Sequence, residues 1–215
     1  MKTNLYDVIC FLGDEYLNIN RLWQDNNINK VNLRKNSVAN IYNKENMIDI
    51  IRKYQCFLLE TTIELNLKLE DKYGMDCRVK TQNSIEDKIR KYCSSSVHSF
   101  GKLPICKCLN DLYGARIVLD GDLTFNEIYN FIKENNFFKD SQVKLKCINA
   151  TKGDYKATHI YFIKQKDNLV EGDNSAFQWE LQIWLAKDER NNIKSHGKYK
   201  QGYTKWENTI IKEGE

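Results

Sequence analysis

The sequence predicts an α+β fold, a mixed β-sheet with flanking helices, and three observations carry that prediction. Helical hydrophobic periodicity fills the stretch before Gly74. Short β-branched and aromatic runs dominate from Ala115 onward, and one amphipathic helical segment interrupts them. The 215 residues can bury a core without help from disulfides or metals. Hydrophobic residues are 41% of the chain and aromatics 12%, which excludes a mostly disordered protein.

The elements follow in order. Residues 1–44 are polar and Asn-rich with short apolar clusters (Val8, Ile9, Phe11, Leu12), and they are read as an N-terminal helical region preceding a single domain over 45–215. From Glu45 to Tyr73 the residues Met47, Ile48, Ile51, Tyr54, Phe57, Leu58, Ile63, Leu65 and Leu69 approximate a helical period, so one long helix is expected to stop near Gly74. Cys77 to Lys80 reads as a short strand, and Asn83 or Ser84 as the cap of a helix through Tyr92. Ser94 to Lys102 is small and polar and reads as a loop. Strands are expected at Ala115–Leu119, Val143–Ile148, Ala157–Ile163 and Phe177–Ile183, with a helix over Phe125–Glu134. The charged segment Lys164 to Ser175 predicts a turn, and the tail Ala186–Glu215, with Tyr199, Tyr203 and Trp206, predicts a helix.

Several classes are excluded early. No run of about 18 apolar residues could span a membrane. Asp7, Asp14 and Glu15 break up the N-terminus, which lacks a signal-peptide core, so a cytoplasmic location is expected. The seven cysteines are scattered and read as reduced, buried thiols. Cys106 and Cys108 form the one close pair, and His98, His159 and His196 do not complete a zinc set around it. The net charge of +4 allows a phosphate-rich partner without demanding one.

Four segments could carry chemistry. In the first, Arg78 and Lys80 share a strand face, and Ser84 lies one turn before Lys88, with Arg90 and Lys91 beyond. Cations and a hydroxyl around a helix N-terminus suit a polyphosphate, and they equally suit a solvated basic face with a capping serine. In the second, Asp111 precedes an apolar strand that Arg116 enters after Gly114; an arginine there needs a partner or an opening. Asp111 and Arg116 could simply pair with each other. In the third, alternation puts Glu180 and Gln182 on one face, where Glu180 could join Asp111 in holding Mg²⁺ or could merely face solvent. In the fourth, Tyr155 could stack on a base while Lys152, Lys156 and His159 meet phosphate or ribose; the plainer reading is a loop aromatic and a structural histidine.

The order RVKTQNSIEDKIRK, DLYGARIV, GDYKATH and ELQI resembles the synthetase domain of the RelA/SpoT family, across roughly residues 45–206. The resemblance implies a nucleotidyltransferase-like synthetase fold and transfer of the β,γ-pyrophosphate of ATP to a ribose 3′-hydroxyl. It implies that Arg78 and Arg116 flank the adenine, with Lys80, Ser84, Lys88 and Lys91 on the triphosphate. Asp111 and Glu180 would hold Mg²⁺ and Gln182 would assist near the acceptor. Tyr155 would stack on the acceptor base, with Lys152, Lys156 and His159 near its phosphates or ribose. Such transfer rests on in-line positioning and charge neutralisation rather than covalent chemistry.

Three departures bear on the acceptor. Ile183-Trp184 stands where the family usually has Arg-Thr, Ala157 stands where serine is common, and only about thirty residues follow the last strand. Housekeeping small alarmone synthetases carry a longer tail that builds a tetramer. This tail, with His196, Lys198, Tyr199, Lys200, Gln201 and Tyr203, is more similar to the toxic small alarmone synthetases of toxin–antitoxin pairs. The first expectation is therefore a toxin that modifies the 3′-CCA adenosine of tRNA, helped by Lys30, Arg34, Lys35, Arg52 and Lys53, with a small antitoxin protein as partner. The alternative is synthesis of (p)ppGpp from GDP or GTP, or of (p)ppApp from adenine nucleotides. A hydrolase is not expected from a chain with three histidines and no histidine-aspartate metal box.

Overall fold

Strands β1 (Asp76–Val79), β2 (Tyr113–Leu119), β3 (Val143–Asn149), β4 (Thr158–Lys164) and β5 (Trp179–Leu185) form one mixed sheet in the spatial order β1-β2-β5-β4-β3. Only β2 and β5 run parallel among these neighbours. These two strands are buried on most of their residues, including the polar Glu180 and Gln182 of β5. The structure is a computed structural model and describes residues 2–26, 31–41, 47–139, 141–165 and 176–204.

One face of the sheet carries the aromatic core. Phe162 and Trp179 meet Tyr16 of helix α1 (Lys2–Asn26), and Trp179 also meets Tyr113 of β2 and Tyr54 of helix α2 (Met47–Thr61). Trp179 Nε1 donates to the Tyr54 hydroxyl at 3.3 Å, and Tyr54 stacks on Phe177 with centroids 4.4 Å apart. Leu5, Val8, Ile9, Leu12, Tyr16, Ile19 and Trp23 of α1 are all buried in this same core. Each such side chain contributes about 1.5–3 kcal/mol by leaving water.

The single long helix expected over Glu45–Tyr73 is instead two, α2 and α3 (Ile63–Tyr73). The hydroxyls of Thr61 and Thr62 donate back to the carbonyls of Phe57 and Leu58 at 2.7 Å, and the backbone leaves helical geometry at Thr62. Gly74, in the left-handed region at φ 61, closes α3 by donating to the Glu70 carbonyl at 2.8 Å. Helix α4 (Gln82–Ser94) is capped by Thr81 rather than by Asn83 or Ser84. Thr81 stays extended while Gln82 is already helical, which leaves Ser84 as the third helical residue, donating its N–H to Thr81 Oγ1 at 3.4 Å.

The expected loop Ser94–Lys102 is partly ordered into 3₁₀ turns over Ser96–Gly101, which a short helix α5 (Ile105–Cys108) follows. Helix α6 (Phe125–Glu134) has the expected bounds and a capping box from Thr124 and Glu127. Helix α7 (Ala186–Thr204) leaves β5 directly; Trp206 and most of the segment expected to turn before β5 lie outside the described residues. The cysteines are free but not uniformly buried: Cys106 and Cys108 are enclosed and Cys56 is exposed. Burial pushes the Cys77 and Cys147 thiols up to about 11 and Cys108 up to about 12. Among the described residues no helix is long and apolar enough to cross a membrane.

Candidate active site

Two rows of residues cross the other face of the sheet. Strand register aligns Arg78, Gly114, Glu180, Tyr161 and Lys146 in one row. The neighbouring row is Asp76, Arg116, Gln182, His159 and Ile148. Side chains two apart on a strand share a face, so each strand contributes one residue to each row. Gly114 sits between Arg78 and Glu180 and leaves the floor open: a Cβ built on it would have only Arg78 Nε nearby, at 4.0 Å.

Asp111 lies just before β2 and is gripped from two elements. Lys80, just after β1, places Nζ 2.7 Å from one carboxylate oxygen, and Lys88 of α4 reaches the other at 2.9 Å. Lys88 also donates to Asn110 Oδ1 at 3.2 Å. Burial favours a neutral Asp111, but the two ammonium groups outweigh it and hold the carboxyl well below its usual range. Burial likewise opposes the charge on Lys88, and Asp111 more than offsets that, raising it above an ordinary lysine. The alternative of an Asp111–Arg116 pair is not realised. Arg116 bonds Asp76 at 3.2 Å and lies on the Trp184 ring, 3.8 Å from its centroid.

Glu180 is 6% exposed, so it is not turned to solvent. It accepts from the Tyr161 hydroxyl at 2.9 Å and from Gln182 Nε2 at 2.6 Å, and His159 Nδ1 stands 2.9 Å from Oε1. Burial pushes its pKa up, but the hydrogen bond and charge of His159 outweigh that and leave it below the usual value. Arg116 Nε and Gln182 Oε1, on cross-strand partners, are buried without a hydrogen-bond partner among the described residues. A buried donor and acceptor left open side by side are costly unless a ligand supplies their partners.

The remaining predicted residues are less central. Tyr155 is partly buried, its hydroxyl 2.9 Å from His159 Nε2 and accepting from Trp184 Nε1 at 3.3 Å; burial pushes its pKa up to about 12. Ser84 is exposed on the first turn of α4, bonded to Thr81, and Lys91 is half-buried one turn beyond Lys88. Lys152 is exposed in the tight turn before β4, where its backbone pairs with Tyr155. Lys156 pairs with Asp188 of α7 at 3.3 Å. Arg52 is engaged by Glu86 at 3.2 Å, and Lys30 lies outside the described residues.

Sequence reasoning missed Tyr161, Asp76 and Asn110 as members of the site. The parity of Tyr161 with His159 and of Asp76 with Arg78 was a usable signal; Asn110 had none. Beyond Tyr161 the face opens into a cavity of about 430 Å³ whose walls include Arg34, Lys107, Asn110, Lys146, Tyr161 and Gln178, with no acidic residue among its lining. Arg34 is oriented there by a 2.8 Å hydrogen bond to the Lys164 carbonyl.

A carboxylate bridged by two lysines at one end of the sheet face, a second ionised carboxylate in the middle and a cavity holding three cations beyond it suit a transferase working on phosphorylated nucleotides. Residues 77–204 match the family described as the region found in RelA/SpoT proteins. That is more than half of the chain, which therefore belongs to the RelA/SpoT family, and its enzyme class is that of a pyrophosphokinase with ATP as the donor. No curated protein matches the chain.

Solved structures similar to it include small alarmone synthetase 1 from Bacillus subtilis, at 20% identity, 70% coverage of this chain, 81% of that one and a TM-score of 0.44. A GTP pyrophosphokinase family protein from Streptococcus pneumoniae matches at 18% identity, 70% and 79% coverage and a TM-score of 0.44. Small alarmone synthetase 2 from Bacillus subtilis matches at 17% identity, 73% and 82% coverage and a TM-score of 0.40.

Proposed function

We propose that the chain moves the β,γ-pyrophosphate of ATP onto the 3′-hydroxyl of the terminal adenosine of tRNA, as a toxin that stops aminoacylation. The donor purine lies between the guanidinium planes of Arg78 and Arg116, a stacking role that lysine would not reproduce. Lys80 and Lys88 exchange their Asp111 contacts for triphosphate oxygens, with Ser84 and Lys91 along the same helix. Glu180 takes the proton of the attacking hydroxyl, which Gln182 Oε1 and His159 orient. The phosphate chain then runs from Lys80 and Lys88 towards Glu180, as in-line transfer requires.

Mg²⁺ fits this donor set. Asp111 and Glu180 are ionised oxygen donors on one face, and one or two carboxylates plus substrate phosphates are a usual magnesium arrangement. Bound there, the ion would neutralise charge on the transferred group.

The observation that carries a tRNA acceptor is the cavity beyond Tyr161. Arg34, Lys107 and Lys146 line it without a carboxylate, so a nucleic-acid backbone entering from the 5′ side of the reacting ribose would meet three cations set among apolar side chains. Its size, about 430 Å³, also suits the 5′-phosphates of one free nucleotide. That favours, as second reading, (p)ppGpp or (p)ppApp synthesis from a guanine or adenine nucleotide. ATP labelled in its β-phosphate, offered together with deacylated tRNA, GDP, GTP and adenine nucleotides, separates them. Label on the CCA end supports the toxin, for which a small antitoxin protein is the partner; label on free nucleotides alone removes it in favour of the second reading.

A further inference from the structure

Trp184 occupies a position that neither acceptor reading explains. It is 1% exposed, and alternation along β5 puts it on the same face as Glu180 and Gln182. Its indole plane carries the Arg116 guanidinium at 3.8 Å, and its Nε1 donates to the Tyr155 hydroxyl at 3.3 Å with the two rings nearly perpendicular at 83°. Tyr155 continues to His159 Nε2 at 2.9 Å, and His159 Nδ1 to Glu180 at 2.9 Å. An unbroken line of contacts therefore joins Arg116, on the donor side, to the central carboxylate through one tryptophan.

An arginine on a strand has several staggered side-chain conformers. Stacking on an indole fixes the plane of the guanidinium, and the 3.2 Å bond to Asp76 fixes its direction within that plane. With one face on Trp184, Arg116 can meet a purine only through its opposite face. We propose that Trp184 is a positioning residue for both substrates. Its ring sets the plane of Arg116 against the donor purine, and its N–H sets the Tyr155 hydroxyl on the acceptor side. The two sites are thereby coupled: ordering Arg116 with a donor orders Trp184 and, through it, Tyr155. This inference rests on Arg116 being a donor-purine residue and Tyr155 an acceptor residue.

The test separates the two halves of the indole. Trp184→Phe keeps a ring beneath Arg116 and removes the donor to Tyr155; Trp184→Leu removes both. The phenylalanine variant should keep its KM for ATP within about twofold and raise the acceptor KM about fivefold, the loss expected of one neutral hydrogen bond. The leucine variant should also raise the KM for ATP by about tenfold, the loss expected of a partly desolvated cation–π contact. Trp184→Phe combined with Tyr155→Phe should be no worse than Tyr155→Phe alone, because both remove the same bond. A nonhydrolysable ATP analogue should shift tryptophan emission in the wild type and much less in Trp184→Phe.

Equal effects of both variants on both KM values, or full additivity with Tyr155→Phe, would overturn the inference. If the leucine variant does not fold, the phenylalanine variants and the emission change still decide. Absence of pyrophosphate transfer by the wild-type protein would instead strike at the underlying functional reading; transfer with no split between the two KM values strikes at the role of Trp184 alone.

Discussion

Replacing Glu180 by glutamine separates chemistry from folding. The carboxylate makes three short contacts, to Tyr161, His159 and Gln182, and is held ionised. A glutamine of the same shape can still accept from Tyr161 and His159 through one oxygen. Its new amide would face Gln182 Nε2, donor against donor, but Gln182 can turn over, since its own Oε1 has no partner among the described residues. What remains is the difference between charged and neutral hydrogen bonds, about 1 kcal/mol each, offset by no longer burying a charge. The net stability loss should be about 1–2 kcal/mol, or a fall in Tm of about 2–8 °C for a chain of this size. Transfer of label from ATP should fall by about 10²–10⁴-fold, the contribution of a positioned general base. Urea denaturation and a labelled-ATP assay on the same preparation measure both. Transfer within threefold of wild type in a folded Glu180→Gln protein would refute the reasoning.

Three further expectations concern other parts of the structure. Lys88→Met leaves Asp111 with Lys80 alone, so stability should fall by about 2–3 kcal/mol in urea and the KM for ATP should rise at least about tenfold; an unchanged KM would contradict the triphosphate role. The depressed pKa of Asp111 contributes stability that is present above its ordinary value of 3.8 and is lost as pH falls through and below it. Lys88, raised above 10.5, contributes in the opposite sense and loses its share only in strong alkali. Denaturation between about pH 5 and 2 should therefore be less steep in Asp111→Asn than in wild type, and parallel curves would contradict the buried ion pair. Gly13→Ala would push a methyl into the Phe138 ring, so calorimetry should show a loss of about 1–2 kcal/mol despite alanine's better helix propensity; a gain would mean that α1 does not pack against Phe138 as described.

Much of the site was legible because alternation is local. The shared face of Glu180 and Gln182 and the strand-to-helix placement of Arg78, Lys80 and Lys88 follow from sequence period alone. Pairings across the sheet do not. That Asp111 meets two lysines and not Arg116 depends on β1 lying beside β2, and that Tyr161 meets Glu180 depends on β5 separating β2 from β4. Local rivals of equal propensity also hid detail. Thr81, Asn83 and Ser84 are all good capping residues, and only the backbone angles at Thr81 choose among them. The break at Thr62 arises from two consecutive threonine hydroxyls turning back on their own helix, inside an apolar pattern that continues across it. The cavity beyond Tyr161 gathers Arg34, Lys107 and Lys146 from three distant segments, which no spacing rule brings together.

The most direct test follows both ends of the donor in one reaction. With ATP labelled in its β-phosphate and a competent acceptor, each turnover should release one AMP and leave the label on the acceptor's 3′-oxygen as part of a two-phosphoryl addition. Release of ADP with a single phosphoryl group transferred, or consumption of ATP with no labelled acceptor among tRNA and the purine nucleotides, would contradict the account.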